Sequence, residues 1–218
     1  MNQAIMGAVA SSVAGGFEGT IIEQDDFTGI TINTGKWTEN DSTNSITQNN
    51  ELIVQPNTGT TGGRITLGSN LVSVKSVTSG IATVSANLDF NLADHNFIDL
   101  KIGQGINSMA GITNGYNTST LYLEVYSGGN LRYNFNSGIV ALNQNLKVKI
   151  TYDITTKDIK FWYWNSGWTQ MGTTQNRDIG TTMRAEILGY YASGNLSWVG
   201  KIDNLYLTEG DFETETPT

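Results

Sequence analysis

The chain has 218 residues and a formal net charge of −8, from 12 Lys+Arg against 20 Asp+Glu, with one His and no Cys. The acidic balance repels phosphate backbones and excludes a basic surface for nucleic acid, and the missing thiols exclude a disulfide framework and thiolate metal sites. A chain of this length fits one domain with a sizeable core, and with 15% charged residues its surface is largely uncharged and hydrogen-bonding.

Residues 1–20 carry small apolar residues from Ala4 to Gly16. No Lys or Arg precedes that run and Ala, Ser and Gly dilute it, unlike a secretory signal, and it falls short of the ~18 apolar residues of a membrane span. It reads as a leader: a flexible segment or an arm that docks against a neighbouring subunit. Residues 21–208 then read as one β domain, and the acidic stretch EGDFETETPT, 209–218, as a short tail.

Short strands separated by Gly, Asn, Ser and Thr clusters are predicted in ELIVQ (51–55), GRITLGS (63–69), GIATVSANLDF (80–90) and FIDLKIG (97–103). Two hairpins follow. In LYLEVYSGGNLRYNF the Gly128-Gly129-Asn130 turn sets Tyr122, Glu124 and Tyr126 on the face opposite Leu121, Leu123 and Val125. In residues 146–164, Leu146, Val148, Ile150 and Tyr152 alternate with Lys147, Lys149, Thr151 and Asp153, TTKD turns the chain, and Ile159, Phe161 and Tyr163 return on the apolar face. Trp162 and Trp164 are thereby placed outside, beside the lysines. With no long amphipathic helix and no fixed repeat, the fold expected is all-β, a two-sheet antiparallel sandwich.

Asp25-Asp26-Phe27-Thr28-Gly29, Ile32-Asn33-Thr34-Gly35-Lys36-Trp37-Thr38, ITQNNELIV (46–54), the 146–164 hairpin and Ile202-Asp203-Asn204-Leu205-Tyr206-Leu207 together resemble concanavalin A-like lectin/glucanase jelly rolls. Phe27 and Trp37 are expected as core anchors of the incoming segment. The resemblance implies that the first and last strands lie side by side, bringing Asp25 or Asp26 towards Asp203, where carboxylates could hold a structural calcium; turn-capping accounts for the same residues.

Hydrolases of that superfamily carry E-x-D-x-E on one strand, which aims acid and nucleophile at one glycosidic bond. None of the predicted strands carries that pattern. Glu124 and Glu186 each stand alone on a strand, as solvated carboxylates usually do, and His95, in ADHNF beside Asp94, reads as a turn residue. Catalysis is therefore not expected. The lead for ligand binding is aromatic: Trp162, Trp164 and Trp168, with Tyr122, as a platform for glycan or partner, unless lysine stems or a loop cover the indoles. Tyr190-Tyr191 and Trp198 form a second cluster, one tyrosine being core.

DDFTG and INTGKWT followed by a QNN strand resemble modules of bacteriophage head and tail proteins. That resemblance implies a non-catalytic virion surface protein, a homo-oligomer that contacts other subunits through residues 1–20 and grips host polysaccharide. A secreted carbohydrate-binding module is the other reading, with Trp162, Trp164 and Tyr122 as platform and Asn side chains reading hydroxyls.

Overall fold

The computed structural model describes residues 19–41, 45–55, 66–92, 96–105, 107–115, 118–191 and 197–210. Among them are fifteen strands and no helix, hence none long and apolar enough to cross a membrane. The strands are β1 (Thr20–Asp25), β2 (Trp37–Asp41), β3 (Ile46–Gln48), β4 (Leu52–Val54) and β5 (Thr66–Ser73). Next come β6 (Ile81–Phe90), β7 (Asn96–Gly105), β8 (Ser108–Asn114), β9 (Thr120–Ser127) and β10 (Asn130–Val140). The last are β11 (Leu146–Asp153), β12 (Asp158–Trp164), β13 (Trp168–Asn176), β14 (Arg184–Tyr191) and β15 (Gly200–Glu209). The outer parts of the expected arm and tail, residues 1–18 and 211–218, fall outside the described residues.

One sheet runs β13-β12-β11-β6-β15-β4-β3, with β1 also paired to β15; the other runs β10-β9-β8-β7-β14-β5-β2, every strand pair antiparallel. The expected antiparallel sandwich is therefore the architecture. Alternation along each strand supplies the core: Ala82, Val84, Ala86 and Leu88 of β6, Ile150 and Tyr152 of β11, Ile98, Leu100 and Ile102 of β7, and Leu121, Leu123 and Val125 of β9. Burying a side chain of the Val, Leu or Ile class contributes about 1.5–3 kcal/mol. At one end Tyr133 of β10 stacks on Phe161 of β12, centroids 6.4 Å apart, which ties the two sheets together.

The 146–164 hairpin has the register that its alternation dictates, with Val148 opposite Tyr163 and Ile150 opposite Phe161. Its turn closes on Asp153, whose Oδ1 accepts from Thr155 N at 2.7 Å and Thr156 N at 3.0 Å. Gly128 and Gly129 turn the other hairpin at φ 58° and 77°, values that glycine tolerates.

One expectation is corrected. ITQNNELIV is not one strand but the hairpin β3–β4, because Asn50 takes φ 57° and the chain reverses there. Asn adopts that left-handed conformation more readily than most residues.

The opening segment is held as its residues suggest. β1 lies on β15, with Asp25 opposite Leu205. Phe27 and Trp37 are 0% and 1% exposed and stack at 5.8 Å. Buried Asp25 accepts from Phe27 N at 2.9 Å and from Trp37 Nε1 at 2.7 Å.

Candidate functional site

The outward side of the second sheet carries the chemistry. On β7 the inward residues are Ile98, Leu100 and Ile102, so Asp99 and Lys101 point away from the core. Both are nevertheless almost fully buried, at 3% and 2% exposed. Met109 of β8 and Leu188 of β14, also outside the core cluster, are buried too. This side is therefore recessed rather than flat.

Strand register lines the recess in two rows. Across β10, β9, β8, β7, β14 and β5, the first reads Asn134, Glu124, Gly111, Lys101, Glu186 and Val72. Alongside runs Asn136, Tyr122, Thr113, Asp99, Leu188 and Asn70. Glu124 and Glu186, which look isolated along the sequence, thus share one face with Asp99, and the expectation that they are solvated is corrected. Glu186 is 6% exposed and accepts from Asn70 Nδ2 at 2.9 Å.

Electrostatics bind the cluster. Lys101 Nζ lies 2.8 Å from Asp99 Oδ2. Its stem crosses Gly111, where a Cβ would stand 3.2 Å from Lys101 Cγ, so the absent side chain makes the passage for the lysine. Burial pushes the Glu124 carboxyl up to about 7, with the Asp99 charge adding to the rise and Lys101 opposing it. Tyr126 is raised as well, by burial first and then by Glu124. Glu124 is consequently a neutral donor over much of the range in which an ordinary glutamate is an acceptor.

Two acceptors in the second row lack a hydrogen-bond partner among the described residues: Asp99 Oδ1 and Asn70 Oδ1. Leu188 stands between them in register. A buried carboxylate oxygen without a donor is expensive, and a hydroxyl reaches it only where the side chains above it move aside. Tyr122 borders the row; its ring lies over Gly115, where any Cβ would collide with it. The arrangement thus combines tyrosine rings, half-buried to exposed amides and a charged floor, a set suited to a polar ligand with apolar faces.

The expected aromatic residues are divided between opposite sides of the sandwich. Tyr122 belongs to this recess, whereas Trp162, Trp164 and Trp168 stand on the outward side of the first sheet. A platform uniting all four is therefore corrected. Trp162 is 9% exposed, between Lys149 Nζ at 5.2 Å and Lys160 Nζ at 5.7 Å from its ring centre.

Asp26 caps the Thr28 turn, whose backbone N–H and hydroxyl hold its carboxyl below the usual range. Asp203 accepts from Asn204 N at 2.8 Å and is raised by burial, with Glu51 and Asp26 contributing. Both oxygens of Asp25 are taken by Phe27 N and Trp37 Nε1. Among the described residues no group of three or more His, Asp or Glu is placed to hold a metal ion. Trp198 is fully buried in the core; His95 and the side chains of Tyr190 and Tyr191 lie outside the described residues.

No family model and no curated protein sequence matches the chain. Solved structures do. A family 16 glycosyl hydrolase from Mycobacterium smegmatis is 15% identical, with TM-score 0.65 over 86% of this chain and 100% of that one. An immunostimulatory antigen and pseudo beta-1,3-glucanase of Mycobacterium tuberculosis is 11% identical, with TM-score 0.65 over 88% and 99%. An endo-beta-1,3-glucanase from Pyrococcus furiosus is 11% identical, with TM-score 0.62 over 91% and 96%. At such identities the likeness shows the fold, that of the glucanase jelly rolls. The expectation of a virion structural protein is corrected: the solved structures that share this fold are named glycoside hydrolases and glucanases, not particle components.

Proposed function

We propose that the chain binds a glycan across the outward recess of the second sheet, holding it without cleaving it. The observation that carries this reading is the row of accessible polar and aromatic side chains on β9 and β10, half-buried Tyr122 and Glu124 beside exposed Asn134 and Asn136, set next to the buried Asp99–Lys101 pair. Sugar hydroxyls supply donors, and sugar C–H faces pack on tyrosine rings. The similar folds named glucanase make a β-glucan the first ligand to try.

Spacing weighs against cleavage between the two glutamates. Two strands separate β9 from β14, so at about 4.8 Å between strands their backbones stand roughly 14 Å apart. Acid and partner carboxylate need about 5–9.5 Å.

A second reading has one observation in its favour. Glu124, protonated near neutral pH, sits two strands from Asp99, about 10 Å of backbone, which suits an acid and a base in an inverting hydrolase. Lys101 at 2.8 Å lessens the availability of Asp99 as that base.

Calorimetric titration with β-1,3- and mixed-linkage glucan oligosaccharides, beside a reducing-end assay, separates the readings. Binding that weakens tenfold or more in Tyr122→Ala, about 1.4 kcal/mol, with no release of reducing ends, is the expected result. Release that vanishes in Glu124→Gln establishes hydrolysis instead. Wild-type binding retained in both Tyr122→Ala and Asp99→Asn removes the recess as the site.

A further inference from the structure

The outward side of the first sheet holds a second aromatic arrangement, independent of the recess. Trp164 of β12 pairs directly with Trp168 of β13, their rings 5.5 Å apart at 78°, and both are half-buried. Beneath them Lys149 is completely buried, its Nζ 4.6 Å from the Trp168 centroid and 5.2 Å from that of Trp162. Trp162 is fixed in turn by its Nε1, which donates to Thr151 Oγ1 at 3.3 Å. An ammonium seated against two indoles is attractive and orients both rings.

We infer that the Trp164–Trp168 pair is a second sugar-binding surface, which takes the C–H face of a neutral pyranose of an extended polysaccharide, with Lys149 as the positioning residue beneath it. Three observations favour a sugar over a protein partner. The indoles are bordered by hydrogen-bonding side chains, Gln170 opposite Trp162 on β13 and Lys160 beside it on β12. Outward neighbours across β11 and β6 are polar, including Lys147, Ser85 and Asn87, so these two strands do not extend the aromatic patch with aliphatic side chains. A stable protein interface needs about 800 Å² per partner with an apolar centre, and two half-buried indoles supply a small part of that. With the two rings edge-on to each other, one indole face stacks on a sugar ring while the other walls its side, and donors at the rim meet its hydroxyls.

The inference goes beyond the recess reading, and it can fail separately. Trp164→Ala is the informative variant, because it removes the ring that packs edge-on against Trp168 while Trp162 and Trp168, the two rings seated on the Lys149 ammonium, keep that contact. Retention in native gels containing β-1,3-glucan, mixed-linkage β-glucan, xylan or galactomannan is compared for wild type, Trp164→Ala, Tyr122→Ala and the double variant, with melting temperatures as the check on folding. Expected is a retention loss of fivefold or more in Trp164→Ala for at least one polymer, persisting in the Tyr122→Ala background, with calorimetric binding of short oligosaccharides to the recess unchanged. Trp168→Phe, which keeps an aromatic ring over Lys149, should retain part of the binding. Wild-type retention in a folded Trp164→Ala protein on every polymer overturns the inference, and so does the absence of any retention of the wild type across the panel.

Discussion

Replacing Glu124 by glutamine tests the electrostatics of the recess. Glutamine has the shape of protonated glutamate, donates as it does and cannot ionise. In the folded chain the Glu124 carboxyl titrates at about 7 against 4.5 for an ordinary glutamate, so between those values the native state holds a proton that the unfolded state has released. Stability contributed by the neutral carboxyl is fully present below pH 4.5 and is lost as pH rises towards 7. The difference, at about 1.4 kcal/mol for each factor of ten, is about 3 kcal/mol. For a chain of this size that corresponds to roughly 5–10 °C in melting temperature. Wild type and Glu124→Gln should therefore melt together near pH 4.5 and diverge with rising pH, the variant being the more stable by about that margin at pH 8. Differential scanning calorimetry across pH 4.5–8.5 measures it, and taking the difference between two proteins removes the titrations they share. A difference that stays constant with pH, or a wild type that gains on the variant as pH rises, would refute the reasoning: Lys101 would then be stabilising Glu124 as a carboxylate.

Lys101→Met leaves the Asp99 carboxylate buried without its counter-ion and should destabilise the fold by about 3–5 kcal/mol in urea unfolding, while adding Asp99→Asn should restore most of it. Gly111→Val puts a side chain where the Lys101 stem now passes; NMR titration of Glu124 should show its carboxyl moving further up as the opposing ammonium is displaced. Trp37→Phe keeps the stack on Phe27 but withdraws the N–H from buried Asp25, and should cost about 1–3 kcal/mol by denaturant melt.

Local patterns made part of the molecule legible. Alternation through residues 146–164 gave both faces of that hairpin, and Phe27 and Trp37 were readable as core anchors because two large apolar residues in a polar opening segment have nowhere else to go. β8 and β13 were missed: SMAGITN and WTQMGTTQN lack β-branched alternation, and their extended conformation is imposed by neighbours on both or one side. The recess was hidden for a related reason. Glu124, Asp99, Lys101 and Glu186 sit on three strands, and the register that aligns them depends on β8 as the spacer between β9 and β7. One signal was present, however, since Asp99 and Lys101 occupy the polar phase of a strand whose other phase is Ile98, Leu100 and Ile102. Opposite charges alternating on a central strand call for a mutual partner more than for solvent. The likeness to virion modules misled because it rested on the opening segment, whose Asp25, Phe27 and Trp37 secure the chain to the sandwich.

The position of β15 has a consequence for biosynthesis. It is flanked by β6 on one edge and by β4 and β1 on the other, partners made more than a hundred residues earlier. While the ribosome is still translating, those three strands wait with a bare hydrogen-bonding edge and an apolar side open to solvent, so half of the first sheet assembles only after residues 200–209 have cleared the exit tunnel. Such a nascent chain is a natural client for holding chaperones, and truncation ahead of β15 should yield insoluble product rather than a shortened jelly roll.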